Sequence, residues 1–329
     1  FKFHTTVCGQ SIKNKIKKME IKDKIQELKK EKNAVILAHY YCLPEIQDIA
    51  DYVGDSLNLA EVAKNSDCDI ILFCGVHFMG ETAKILNPSK KVLLPDLNAN
   101  CSLAEGCQYE EFKQFKQQHP DHLVISYINC SAEIKTLSDI ICTSGNALQI
   151  VQSLPEDEKI IFAPDKNLGG YINKISGREM VLWHGCCNVH AQLNAQVLLK
   201  MKAEHPQHKV VAHPECEKGV LELADFVGST AAMIKYISSS KEKHFIVATE
   251  EGISHKLKKD NPDKEFLIAL TDANSPCQCK DMKLNTLEKV LETLEKECNE
   301  IVLSDEMIEQ AKKPIIRMLD ISKQLGILK

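Results

Sequence analysis

The apolar positions of this chain fall into short runs that return in a fixed order. Residues 34–41 (AVILAHYY), 123–130 (LVISYINC) and 210–216 (VVAHPEC) are nearly continuous apolar stretches that turn polar at their ends. Such runs predict parallel strands buried on both faces. A helical stretch follows, EIQDIADYV in the first case and KGVLELADFV in the third. Next comes a small polar phrase, GDS, CTS or GST, which opens a second helix (LNLAEVAKN, GNALQIVQSL, AAMIKYISS). A second strand (IILFCG, IIFAP, FIVAT), a further helix and a third strand (VLLPD, MVLW, FLIAL) complete each unit. Strands alternating with helices predict three-layer αβα units with parallel sheets. Right-handed crossovers then put all strand C-termini on one edge, where ligands of such sheets bind.

The ends read as helices. Ile21, Ile25 and Leu28 share one face before the first strand, and Leu284, Leu287, Leu291 and Leu294 stand at helical spacing after the last. A leucine stripe of that kind is core packing. Pro314 is expected to start or kink the final helix, and the C-terminal helices are expected to pack back on the first unit.

Inside the periodic pattern lies a polar one. His39, Asp51 and Ser56 stand at relative positions 0, 12 and 17; Tyr127, Asp139 and Ser144 repeat that spacing, as do His213, Asp225 and Thr230. One cysteine accompanies each unit, Cys101, Cys187 and Cys279, in the loop after its last strand. The expected fold class is therefore α/β, with three pseudo-threefold-related three-layer αβα domains around a central site. Their expected bounds are residues 20–101 with 280–329, then 102–187, then 188–279.

Composition narrows the function. A net charge of −5 and a pI near 6.2 leave no electrostatic footprint for nucleic acid. No apolar run approaches the length of a membrane span. Residues 1–19 carry lysines and no acid, but without arginine or amphipathicity they make a poor transit peptide. Fourteen cysteines in a long chain with no secretory signal point to free thiols and a reducing cytoplasm. Cys42, Cys68, Cys74, Cys130, Cys142 and Cys298 are expected as small buried hydrophobes.

The chemistry-bearing candidates sit on the repeat frame. Three thiolates without a fourth ligand suit a 4Fe–4S cluster with one open iron better than structural zinc, although Cys107, Cys186 and Cys277 stand close enough to compete. Ser56, Ser144 and Thr230 each occupy a loop-to-helix junction. Singly each is an ordinary N-cap; together they describe an anion-seeking site. His39, Tyr127 and His213, with Tyr41, Asn129 and Glu215 two residues on, place acid–base groups at strand ends. His190 follows Cys187 by three.

The text resembles the quinolinate synthase family. The matching segments are AHYYCLPEIQDIADYVGDSLNLA, FCGVHFMGETAKILNP, LLPD with CSLA, YINCSAEIKTLSDIICTSGNA, FAPDKNLGGY, CNVH, HPEC, VGSTAAMI, ATEEG and MKLNTLE. The resemblance implies one cluster cysteine per domain, selecting Cys187 over Cys186 and Cys279 over Cys277. It implies condensation of iminoaspartate with dihydroxyacetone phosphate to quinolinate, phosphate and water in de novo NAD biosynthesis. Glu215 is then expected as the main base, with Tyr41, Tyr127 and His39 as acid–base partners. Ser56, Asn129, Ser144, His190, His213 and Thr230 are expected to bind substrate. L-aspartate oxidase is a pathway partner on this reading. An aconitase-like iron–sulfur hydro-lyase and a non-enzymatic cluster carrier are the rival readings.

Overall fold

The computed structural model describes residues 4–328, with side chains from Ile16 onward; most of the lysine-rich start lies outside the described side chains. The first unit runs α1 (His4–Glu31), β1 (Ala34–His39), α2 (Pro44–Ile49), β2 (Tyr52–Gly54), α3 (Ser56–Lys64), β3 (Ile70–Cys74), α4 (His77–Leu86), β4 (Lys91–Leu93). The second runs α5 (Ser102–Glu105), α6 (Tyr109–Gln117), β5 (Leu123–Tyr127), α7 (Ala132–Thr136), β6 (Ile140–Cys142), α8 (Ala147–Gln152), β7 (Ile160–Ala163), α9 (Lys166–Ser176), β8 (Val181–Leu182). The third runs α10 (Ala195–Glu204), β9 (Lys209–Ala212), α11 (Lys218–Leu221), β10 (Phe226–Val227), α12 (Thr230–Ser239), β11 (His244–Ala248), α13 (Ile253–Asp260), β12 (Glu265–Ile268). α14 (Leu287–Lys296) and α15 (Asp305–Gln324) close the chain.

Three parallel four-stranded sheets result, ordered β2-β1-β3-β4, β6-β5-β7-β8 and β10-β9-β11-β12. The order is the same in all three, so the α/β class and its repeat are visible directly. The central strands β1, β3, β5, β7, β9 and β11 carry the apolar runs and are almost wholly buried, as strands covered by helices on both faces must be.

Each sheet has one strand more than the apolar pattern predicts. EIQDIADYV is expected as a continuous helix, but the helix ends at Ile49, Ala50 turns extended, and residues 52–54 pair with β1. KGVLELADFV divides in the same way into α11 and β10. The aspartate at position 12 explains the division. Asp51 donates its backbone N–H to Ile36 O (2.9 Å), while its carboxylate accepts the Ile36 N–H (2.8 Å). Asp139 holds Val124 identically (2.9 and 2.8 Å), and Asp225 holds Val210 (2.8 and 2.8 Å). The residue acts as a strand partner made partly of side chain. The middle member of the polar triplet is therefore architectural and does not face the centre.

At the C-terminus α14 packs on α1, while α15 lies across α4 of the first unit and α7, α8 and β6 of the second. α15 does not begin at Pro314. Ser304 caps it by accepting the Met307 N–H, Asp305 and Glu306 follow in the first turn, and Pro314 sits buried inside the helix. Removing the clamp carboxylate leaves a buried strand N–H without a partner, a loss of about 1–3 kcal/mol. Asp139→Ala should lower stability by roughly that amount in chemical denaturation. An unchanged midpoint would show that water replaces the clamp at no cost.

Candidate active site

The C-terminal edges of the three sheets share one cavity of about 520 Å³. Every candidate site residue lines it: His39, Tyr41 and Ser56 from the first unit; Tyr127, Asn129 and Ser144 from the second; His190, His213, Glu215 and Thr230 beyond; and Cys101, Cys187 and Cys279. The competing thiols do not. Cys277 is fully buried in the third unit and donates to Thr249 O, and neither Cys107 nor Cys186 lines the cavity.

The two histidines at position 0 fold back on their own loops. Tyr41 N–H donates to His39 Nδ1 (3.2 Å) and Glu215 N–H to His213 Nδ1 (3.4 Å). These bonds assign the acceptor to Nδ1 and the ring proton to Nε2. His213 Nε2 reaches Ser144 Oγ at 3.3 Å. Burial pushes His39 down to about 3, with His213 adding to the effect, and His213 down to about 4. Both rings are therefore neutral Nε2–H donors near pH 7.

Glu215 is 3% exposed, a buried carboxylate on the cavity wall. Burial alone would raise its pKa, but His190 and His213 pull it well below the usual carboxylate range, helped by hydrogen bonds from His190 and Tyr127. Tyr127 Oη donates to Oε1 at 2.5 Å, and His190 Nδ1 lies 2.8 Å from Oε2. His190 Nε2 contacts Thr249 Oγ1 at 2.8 Å, and Tyr41 Oη contacts the same hydroxyl at 2.6 Å. Tyr41, Thr249, His190, Glu215 and Tyr127 thus form one unbroken chain across all three units. Burial raises both phenols well above 10, so they stay protonated.

The three cysteines share a local structure. Cys101 N-caps α5, Cys187 precedes the short turn His190–Gln192, and Cys279 precedes the turn Met282–Leu284. Each thiol faces the N–H groups that open its turn: Leu103 and Ala104, then His190, then Asp281 and Met282. Burial nevertheless pushes Cys101 up to about 12 and Cys279 up to about 11, and raises Cys187 well above the usual thiol range. Thiols that face N–H donors while burial holds them protonated fit a site completed by a metal's own charge. Cys187, His190 and Glu215 also bring ligand atoms within 4.8 Å of one another, a buried group able to hold a metal.

At the helix entrances the capping falls one residue earlier than expected. Asp55 caps α3 by accepting the Asn58 N–H, and Ser229 caps α12 by accepting the Ala232 N–H. Ser56 and Thr230 are the first helical residues. Ser144 is not a cap either, since Asn146 precedes α8. The hydroxyls are thereby released from capping and face the cavity. Asn129 Oδ1 is buried with no partner, an acceptor open to a ligand.

Sequence reasoning passed over Thr249, Asp165 and Glu250. Asp165 and Glu250 each stand two residues after the third strand of their units, β7 and β11, so the repeat frame marks their positions though not their partners. Asp165 caps α9 and is raised to about 7 by burial and by the charge of Glu215. Glu250 is fully buried, pairs with Lys283 (2.8 Å) and accepts the Gly252 and Cys279 N–H groups (2.6 and 3.2 Å). Gly252 is required there, because a Cβ would stand 2.8 Å from the Tyr41 backbone.

The family model for quinolinate synthetase A protein matches residues 23–320. The quinolinate synthase of Synechocystis sp. is 58% identical over 299 residues, 91% of this chain and 94% of the relative. The quinolinate synthase of Nostoc punctiforme is 55% identical over 91% of this chain and 92% of its own. That of Chloroherpeton thalassium is 54% identical over 94% and 96%.

The depressed histidines make stability depend on acid. Below about 6.5 the unfolded chain takes up protons that folded His213 refuses until about 4, so stability falls as pH drops through that window. His39 extends the window to about 3. Unfolding measured from pH 7.5 to 4.5 should show this loss, with a slope smaller by up to about one proton in His213→Gln. Equal slopes would mean that His213 titrates normally in the folded chain.

Proposed function

The chain belongs to the quinolinate synthetase A family, and from that premise we propose how its central cavity makes quinolinate. The reaction condenses iminoaspartate with dihydroxyacetone phosphate, releases phosphate and water, and serves de novo NAD biosynthesis. The observation that carries the assignment is the convergence of one cysteine from each repeat on the cavity that holds Glu215.

We assign to Cys101, Cys187 and Cys279 a 4Fe–4S cluster with one open iron. Bound there, it would supply a Lewis-acidic iron for a substrate oxygen or nitrogen. The remaining work falls to side chains. Ser56, Ser144 and Thr230 hydroxyls, with the N–H groups opening α3 and α12, bind the phosphate and carboxylates. The Nε2–H groups of His39 and His213 donate to substrate oxygens, and Asn129 Oδ1 accepts from an N–H or O–H. Glu215 takes the carbon-bound proton, since it is ionised and already inside the cavity. Tyr127 donates its short hydrogen bond to the carboxylate before the transfer and can receive one from it afterwards. Tyr41 polarises a carbonyl, and the Thr249–His190 bridge holds it in line with Glu215. The cavity volume suits two small anions held together away from bulk water.

L-aspartate oxidase, which would deliver the imine, is the proposed supplying partner. The cytoplasm is the proposed compartment: all described cysteines are free thiols, and no helix among the described residues is long and apolar enough to cross a membrane.

Anaerobically reconstituted protein, given dihydroxyacetone phosphate and iminoaspartate generated in place, should form quinolinate. Cys187→Ala should form none and carry less iron. Glu215→Gln should retain the iron but lose roughly 100-fold or more in rate. Brown protein without quinolinate would favour the hydro-lyase or the carrier, and colourless wild-type protein would sink the three-cysteine assignment.

A further inference from the structure

A second cluster of ligating side chains lies at the opposite end of the third sheet from the cavity. His244 and Glu265 are register partners at the starts of β11 and β12. Phe245 pairs with Lys209, so His208, one residue before β9, stands beside His244. Three neighbouring parallel strands thus present His208, His244 and Glu265 side by side. His244 Nδ1 is 3.0 Å from Glu265 Oε2, and His208 Nε2 is 3.8 Å from Oε1. One ligand atom from each residue lies within 4.8 Å of the other two.

His208 is the informative member. It is 3% exposed, yet neither ring nitrogen has a hydrogen-bond partner. Buried polar atoms nearly always find one, and an orphan in a native fold calls for an explanation. A plain surface ion pair accounts for His244 and Glu265 but leaves His208 unexplained.

We propose that His208, His244 and Glu265 bind a divalent transition metal of the zinc class, at a site separate from the cavity. Two imidazoles and a carboxylate are the ligand types such ions prefer, whereas magnesium and calcium favour oxygen and copper(I) favours sulfur. Ligand atoms about 2.0–2.2 Å from a central ion lie little more than 3 Å apart, so the trio needs only a modest contraction. Water or His205, whose ring is 5.1 Å from that of His208, completes the tetrahedron. The ion would tie together the N-terminal ends of three neighbouring strands, bracing the third sheet from the end its chemistry does not use.

The test uses cluster-loaded enzyme freed of loosely held metal, titrated with Co²⁺ by visible absorption and with Zn²⁺ by calorimetry. One equivalent should bind, with d–d bands, no thiolate charge-transfer band and a raised melting temperature. His244→Ala and Glu265→Gln, both on accessible side chains, should each weaken binding about 10-fold or more. Quinolinate formation should be unchanged in both, and buried His208 stays intact so that folding is not in question. Wild-type protein that binds neither ion at micromolar concentration, variants that bind as wild type does, or a thiolate band would each overturn the proposal.

Discussion

A carboxylate removed from water must be given hydrogen-bond donors, and the centre of this protein is organised around that demand. Glu215 lies in the loop between β9 and α11, but its partners come from elsewhere: Tyr127 from the end of β5 and His190 from the turn after Cys187. Bonds of 2.5 and 2.8 Å leave little freedom in how the second and third sheets meet. Thr249 extends the constraint to Tyr41, and Gly252 lets the Tyr41 backbone come close enough for that bond. Satisfying one charge therefore fixes three units relative to one another.

The same economy resolves a conflict. A cavity meant for anions should not contain a carboxylate, because like charges repel at short range. Here the negative charge is engaged by the phenol and imidazole before any ligand arrives. The other imidazoles are neutral, and the hydroxyls of Ser56, Ser144 and Thr230 stand on the wall. Asp165 behind the site is raised to about 7 by burial and by the charge of Glu215, so its carboxyl ionises less readily than an ordinary aspartate and adds less repulsion.

Much of this was legible in the text. The apolar runs located the central strands, and the polar frame located the cavity wall, because strand ends and helix entrances carry the same residue types in each unit. The edge strands β2, β6 and β10 were not legible. They are two or three residues long, and their apolar positions continue the helical spacing of the stretch before them. Only the aspartate clamp distinguishes them, and an aspartate reads equally well as a cap or a ligand. Thr249 and Glu250 were missed because their roles depend on partners more than 30 residues away, Tyr41, His190 and Lys283, which no local pattern reveals. His208 was invisible for a related reason: a histidine in HPQHKVV signals nothing until its neighbours across the sheet are known.

The three units are alike in backbone, yet the residues they offer are not. Position 0 is His39, Tyr127 or His213, and two residues on stands Tyr41, Asn129 or Glu215. A strictly threefold cavity would accept a small ligand in three equivalent poses and could not favour one. By placing a phenol, an amide and a carboxylate at corresponding corners, the chain removes that degeneracy. The duplicated scaffold supplies the enclosure, and divergence among its copies supplies a single direction in which a molecule can lie.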